Sequence, residues 1–409
     1  MTDVYVVGIG QTPVTREQHR SVGRMAGDAI TRAIDDAGIE SAAVSALYLG
    51  NMTAGVLERQ QQLASLCAHA CGLTCAEAFT LEASSASGAA ALRTGYMAVA
   101  GGFHDVVVAC GAERLSHAPR EASTQALTAA FDREETLQSG ESFLTLNAAL
   151  MRRYLDAYHL APEDLAPFAI NAHRNGLNNP NALLRKPLDL DGYLSSRMLL
   201  EPLRLMDAPP ICDGAAAVVL AGGRVARGLA EGGLAAGDFA EGGLSESGPA
   251  TGARPRVKIL ASAVASGSLK ATNFISDLKI STAEASSRRA FRQSGMRHDD
   301  IDLFELHDAY TVITALSLES NGFAAPGEAV RLGRDGALAL DGRLPISTMG
   351  GLKSRGHPVG ATGIYQVVEA VQQLRGTSGK NQVENASVAM TQNLGGMGAT
   401  AITHVLAAE

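Results

Sequence analysis

The chain has 409 residues, 46% of them hydrophobic, which supplies a real core for two or three domains of ordinary size. A net charge of −8 argues against a general nucleic-acid or membrane-surface binder and points to a small partner, with only a local basic patch left to receive a phosphate. The opening MTDVYVVGIGQTP lacks a secretory pattern, and no apolar run reaches the roughly 18 to 20 residues that span a bilayer, so a soluble, cytoplasmic chain is expected.

Strands and helices alternate from the start. YVVGIG is followed by a helix near 21–37, ALYLGN by a helix near 57–71, AFTLEAS by a helix near 88–101, and then comes DVVVACGAE. That order predicts a layered α/β fold with a mostly parallel sheet. GIGQTP at 8–13 is only half of a dinucleotide fingerprint, because Pro13 stands where the third glycine belongs, and no phosphate-binding GxxxxGK[ST] occurs. The turn in LEASSASGAAAL, with Ser85 at its tip, joins a strand to an Ala-rich helix, a place where chemistry often sits.

Five cysteines, Cys67, Cys71, Cys75, Cys110 and Cys212, are an odd number and fit reduced thiols better than a disulfide framework. The first three recur every fourth residue, which places them on one helical stripe. That spacing is not the CxxC pairing of zinc sites, and buried cysteine packs as a small hydrophobe, so packing is preferred to metal binding.

Residues 115–205 read as helices and polar ordered loop around a binding cleft, and 228–255 as a flexible Gly/Ala-rich excursion without a chemical role. The second half repeats the plan of the first. VKILASAVAS opens it, then a helix near 282–294, DIDLFELHDAY, a helix near 311–320, PISTMGG, a helix near 361–375, and ASVAMTQNLGG before GATAITHVLA. Two related halves, 1–227 and 256–409, are expected.

Three motifs lie at strand ends. In GHPVGATG, Gly356, Gly360 and Pro358 fix the chain around His357, as a protein does to present a base or to satisfy a structural imidazole. FELHDAY carries His307, with Asp308 either functional or an N-cap for the next helix. QNLGGMG offers glycine amides that can approach a substrate oxygen.

EASSASGAA, CDGAAAVVL, ELHDAY, GLKSRGHPVGATG and NLGGMGA, in this order over nearly the whole chain, resemble the thiolases, most of all the sterol-carrier-protein-type and archaeal branch. The resemblance implies the five-layered α-β-α-β-α thiolase fold and reversible Claisen chemistry, in which a 3-oxoacyl-CoA and coenzyme A exchange for two acyl-CoAs. Coenzyme A is then substrate and product, and no bound cofactor or metal is needed. By the same resemblance the nucleophilic cysteine falls on Ser85 and its activating base on His357. His307 and His357 hold the thioester oxygen, and the amides of Ser85 and Gly395 form a second oxyanion hole. A second, proton-carrying cysteine is missing from both places where thiolases keep it, which hold Asn393 and Ala309. Arg185, Lys186 and Lys270 are candidates for the phosphates of coenzyme A. A homodimer and a small OB-fold zinc-ribbon partner are also implied.

Serine at position 85 conflicts with that chemistry. A thiol ionises near neutral pH and a hydroxyl does not, and no motif ties an acid to His357. Three readings follow: a thiolase with serine substituted for its cysteine, a non-catalytic acyl-CoA or lipid binder, or a thiolase-fold aldolase that cleaves a 3-hydroxyacyl-CoA without an acyl-enzyme.

Overall fold

A computed structural model describes residues 2–16, 19–73, 75–134, 140–230, 255–269 and 276–409. The expected excursion at 228–255 lies mostly outside the described residues, and so does Lys270. The strands in chain order are β1 (Val4–Gln11), β2 (Ala46–Gly50), β3 (Glu77–Leu81), β4 (Val106–Arg114), β5 (Met198–Leu200), β6 (Leu203–Arg204), β7 (Asp213–Gly222), β8 (Val257–Ser266), β9 (Leu303–Glu305), β10 (Val388–Gly395) and β11 (Thr400–Ala408).

Nine of these strands run in the order β3-β2-β4-β7-β1-β8-β11-β10-β9, with β5 and β6 forming a separate hairpin. Within the sheet the two halves meet where Tyr5 and Val6 of β1 pair with Lys258 and Val257 of β8. Outward from that seam the orders mirror one another: β1-β7-β4-β2-β3 on one side, and β8-β11-β10-β9 on the other. Beyond β9, Ile346 of PISTMGG adds a single parallel bridge to Phe304.

The sheet is mixed, which corrects the mostly parallel expectation. Among the described residues, parallel pairing is confined to β2 with β3, β2 with β4, and β9 with β10, apart from isolated bridges. β10 and β11 are joined by a short turn and must run antiparallel. β7, at the far end of the long 115–205 segment, returns antiparallel between β4 and β1.

Helices Ser87–Ala100 and Thr362–Leu374 fill the space between the two halves of the sheet, each touching strands of both. Val22–Ala37 covers the outer face of the first half, and Ser281–Ser294 that of the second. This is the five-layered α-β-α-β-α arrangement. The helix expected near 57–71 is broken into Ala54–Leu57 and Leu63–Ala70, with Arg59 and Gln62 at φ of 53° and 51°. Cys67 is buried against Gly23 and Cys71 half-buried against Gly27, while Cys75 is exposed outside the helix. No cluster among the described residues could hold a metal.

The two central helices touch at their N-termini because small residues line both. A Cβ on Gly88 would lie 2.8 Å from the Gly360 carbonyl oxygen, and one on Gly363 would lie 2.5 Å from the Ala89 nitrogen. Close approach of these helix ends brings the Ser85 turn and the His357 turn together. Among the described residues, no helix is long and apolar enough to cross a membrane.

Candidate active site

Ser85 lies two residues before the first turn of Ser87–Ala100. The turn that presents it is closed by Ser87, whose hydroxyl accepts from Ala83 N–H at 2.9 Å and donates to the Ser84 carbonyl at 2.6 Å. Ser84 itself sits at φ 53°, in the left-handed region that a non-glycine residue occupies at a cost. The end of β10 presses on this turn from behind: a Cβ on Gly395 would lie 2.3 Å from the Ala83 carbonyl oxygen.

The His357 turn is anchored by Glu113 at the end of β4. This buried carboxylate accepts from the N–H groups of Met52, Thr53 and Gly360, the Thr53 hydroxyl and the Asn51 amide. Burial raises its pKa and the donors oppose the shift. The His307 turn is held by Asp308, which accepts from Leu352 N–H at 2.8 Å and pairs with the fully buried Lys353 at 3.2 Å. Asp308 is therefore not an N-cap, since the helix Thr311–Ser320 has no side-chain cap.

Ser85, His307 and His357 converge on one cavity of about 80 Å³. The imidazoles meet edge to face, with centroids 5.1 Å apart. Leu127, Phe143, Ile313, Leu394 and Met397 form apolar walls, and Tyr310, Ala309, Gly396 and Asn147 complete the lining. Leu127, Phe143 and Asn147 come from the 115–205 segment, the stretch expected to surround a cleft. Larger surface grooves of about 890 and 720 Å³ contain none of the converging residues.

Burial pushes the His307 pKa down to about 4, assisted by the charges of Lys353 and Arg355 and opposed by Asp308. Burial, with His307 and Arg355 nearby, holds His357 well below its ordinary value. Both rings are neutral at pH 7. His307 Nδ1 faces the Asn393 amide nitrogen at 2.9 Å. His357 Nδ1 lies 2.7 Å from Thr362 Oγ1, and that hydroxyl also donates to the Pro358 carbonyl at 3.4 Å. Among the described residues no carboxylate backs His357, and no hydrogen bond joins Ser85 Oγ to either ring.

Two expected site residues differ in place. Gly395 packs behind the Ser85 turn while its neighbour Gly396 lines the cavity. Asn393 stands behind His307 rather than in the lining. Arg185 and Lys186 are exposed and do not line the cavity. Three further residues of the site were not expected from the sequence. Thr362 stands five residues after His357 in GHPVGAT, and Tyr310 has its phenol pKa raised by burial. The third is Asn147, whose Oδ1 is buried without a protein partner. Only the first two lie within recognisable motifs.

The layered α/β sandwich thus brings two imidazoles and the small side chain of Ser85 to the meeting point of its central helices. Residues 4–223 match the family described as "Thiolase, N-terminal domain", and residues 265–408 match "Thiolase C-terminal domain-like". An acetyl-CoA acetyltransferase of Methanothermobacter thermautotrophicus is 38% identical over 99% of both chains. The chain belongs to the thiolase family, a family of acyltransferases. Among solved structures, the Ltp2-ChsH2(DUF35) aldolase superimposes with a TM-score of 0.80 at 25% identity, covering 99% of this chain and 98% of that one. A thiolase from Ascaris suum in complex with coenzyme A shares the fold, with a TM-score of 0.70 at 18% identity over the full length of both.

Proposed function

We propose that the chain carries out thiolase chemistry on a short 3-oxoacyl-CoA. The observation that carries this reading is the convergence of Ser85, His307 and His357 on one small cavity. The side chain at 85 adds to the keto carbon and gives its proton to His357. The bond between C2 and C3 then breaks, and its electron pair leaves as the enolate of acetyl-CoA, whose oxygen is held by His307 and His357. The amide of residue 85 and those of the Gly395–Gly396 turn receive the oxygen of the attacked carbonyl. Protonation of the enolate carbon and transfer of the acyl group to coenzyme A close the cycle. Most of the acceleration would come from these preorganised oxygen sites.

A short substrate draws support from the acetyl-CoA acetyltransferase that is 38% identical to this chain. Coenzyme A enters past the 115–205 segment, where Arg185 and Lys186 are exposed cations available to its phosphates. The halves 1–227 and 256–409 are read as copies of one plan, with support from the mirrored strand order.

Aldol cleavage of a 3-hydroxyacyl-CoA is the second reading. It is favoured by the lack of any hydrogen bond between Ser85 and a base among the described residues, and by the likeness to an aldolase. A binder without chemistry is disfavoured by the intact pair of imidazoles. A homodimer is supported by the edge strand β3, on which Phe79 is 57% exposed. A small OB-fold zinc-ribbon partner draws support from the two-component name of the aldolase neighbour. Five unbridged cysteines fit a cytoplasmic setting.

The test is to follow acetoacetyl-CoA with and without coenzyme A, and 3-hydroxybutanoyl-CoA without it. Loss of acetoacetyl-CoA only when coenzyme A is present supports thiolysis. Cleavage of the 3-hydroxy compound alone replaces it with the aldol reading.

A further inference from the structure

We infer that Arg355 and Glu369, a fully buried ion pair outside the cavity lining, position the His357 turn by joining the chain just before it to the helix just after it. Both are positioning residues, since neither lines the cavity. The inference rests on the reading of His357 as the base of this site.

The backbone leading into His357 has little stiffness of its own. Gly350, Gly351 and Gly356 sit at φ of 103°, 53° and 115°, values that glycine adopts without steric cost. Between them runs a single π-type turn, in which Arg355 N–H reaches the Gly350 carbonyl and Gly356 N–H the Gly351 carbonyl, each at 3.3 Å. Such turns are rare and gather at functional sites. Leu183 and Leu184 N–H hold the carbonyls of Arg355 and Ser354 at 3.0 Å, which ties the turn to the 115–205 segment. The Arg355 side chain ties it to the helix that follows His357.

That helix, Thr362–Leu374, carries Tyr365 and Glu369 four residues apart and so on one face. Arg355 Nε lies 3.0 Å from Glu369 Oε1, with both side chains 0% exposed. The guanidinium carbon is 4.9 Å from the centre of the Tyr365 ring, and the Tyr365 hydroxyl is fixed to the Thr12 carbonyl at 2.8 Å. A planar cation fits such a slot by its face on the ring and its edge on the carboxylate. No hydrogen bond from elsewhere among the described residues satisfies either charged group. Burial pushes the Glu369 carboxyl up and Arg355 opposes the shift. Arginine keeps its charge when buried, so the carboxylate facing it is its counter-charge.

A buried ion pair is a poor source of stability. Replacing both partners with apolar residues is often neutral or better, whereas removing one leaves an uncompensated charge. A merely structural pair is therefore dispensable when both members go. A positioning pair is not, because the apolar replacements no longer hold the guanidinium's place between the turn and the helix.

The experiment compares Arg355→Met with the double variant Arg355→Met/Glu369→Leu, in the parent chain and in Ser85→Cys. Arg355→Met should melt at a lower urea concentration than the double variant, which should melt near its parent. In the Ser85→Cys background the double variant should lose about 10- to 100-fold in kcat on acetoacetyl-CoA and coenzyme A, with KM within about threefold, as a misplaced base does. In 13C spectra of imidazole-labelled protein, the His357 resonance of the double variant should broaden or split where the parent shows one line. A folded double variant with parental kcat overturns the inference whatever its melting point. Should the double variant not fold, Glu369→Gln decides, since it keeps an acceptor for the guanidinium and removes only the counter-charge: a several-fold lower kcat upholds the inference and a parental kcat overturns it. Should Ser85→Cys not cleave acetoacetyl-CoA at all, thiolysis falls, and the His357 line decides by itself: broadened or split it upholds the inference, unchanged it overturns it.

Discussion

Replacing one atom tests the assignment of residue 85 most directly. In Ser85→Cys a hydroxyl becomes a thiol of pKa about 8.5, already about a tenth ionised at pH 7.5 and more so beside a helix N-terminus. Serine gains no such help and must lose its proton to His357 within the step itself. In a Ser-His-Asp site, replacing the acid costs about 10⁴ in kcat. Ser85 starts from that deficit, because His357 Nδ1 meets the Thr362 hydroxyl and not a carboxylate. The exchange should therefore raise coenzyme-A-dependent cleavage of acetoacetyl-CoA by about 10³- to 10⁴-fold, or about 4 to 5.5 kcal/mol of barrier. Loss of the substrate's enolate absorbance measures the rate, and intact mass after quenching should show one acetyl group on Ser85→Cys. A Ser85→Cys protein no faster than the parent and carrying no acyl group would refute both the nucleophile assignment and the geometry behind it.

Gly395→Ala places a methyl 2.3 Å from a backbone carbonyl that cannot rotate away, so the Ser85 turn must shift. We expect about 1 to 3 kcal/mol of lost stability in urea melts and, in the Ser85→Cys background, about 100-fold lower kcat. Glu113→Gln turns an N–H toward the donors of Met52, Thr53 and Gly360 and should cost about 2 to 3 kcal/mol in the same melts. His307 titrates near 4 when folded and near 6.5 when unfolded, so protonation favours the unfolded chain. Its contribution is complete above pH 6.5 and is lost as pH falls toward 4, up to about 3 kcal/mol. Urea midpoints at pH 7.5 and 5 should show this, and His307→Gln should flatten the difference. A thiol reagent should label exposed Cys75 first. Burial raises Cys67 and Cys212 to about 12 and Cys110 well above its ordinary value, so these three should react only on unfolding.

Alternating strands and helices were legible because each element carries its own periodicity, and helix 311–320 falls where that pattern places it. The sheet's mixed direction was not legible. Parallel and antiparallel strands bury the same apolar residues, and the direction of β7 depends on where the long 115–205 segment brings the chain back. The broken helix at 58–62 also escaped detection, since ERQQQ contains no glycine or proline to mark two left-handed residues.

Site legibility followed the same division between local and long-range information. Ser85, His307 and His357 sit in turns whose glycines, prolines and tiny residues announce a constrained backbone, so their presence could be read one motif at a time. Their polarity could not. Whether an imidazole offers a proton or a lone pair is decided by the group behind it. For His307 that group is Asn393, 86 residues away, and the residue stood out only as the substitute for a missing cysteine. For His357 it is Thr362, only five positions on, a hydroxyl that can give or take a proton. A sequence can thus locate two histidines while leaving open which is acid and which is base. The groups behind the rings are an amide and a hydroxyl and not a carboxylate, so His357 lacks the acid of a Ser–His–acid relay and a thiol at position 85 would be served far better than the hydroxyl that stands there.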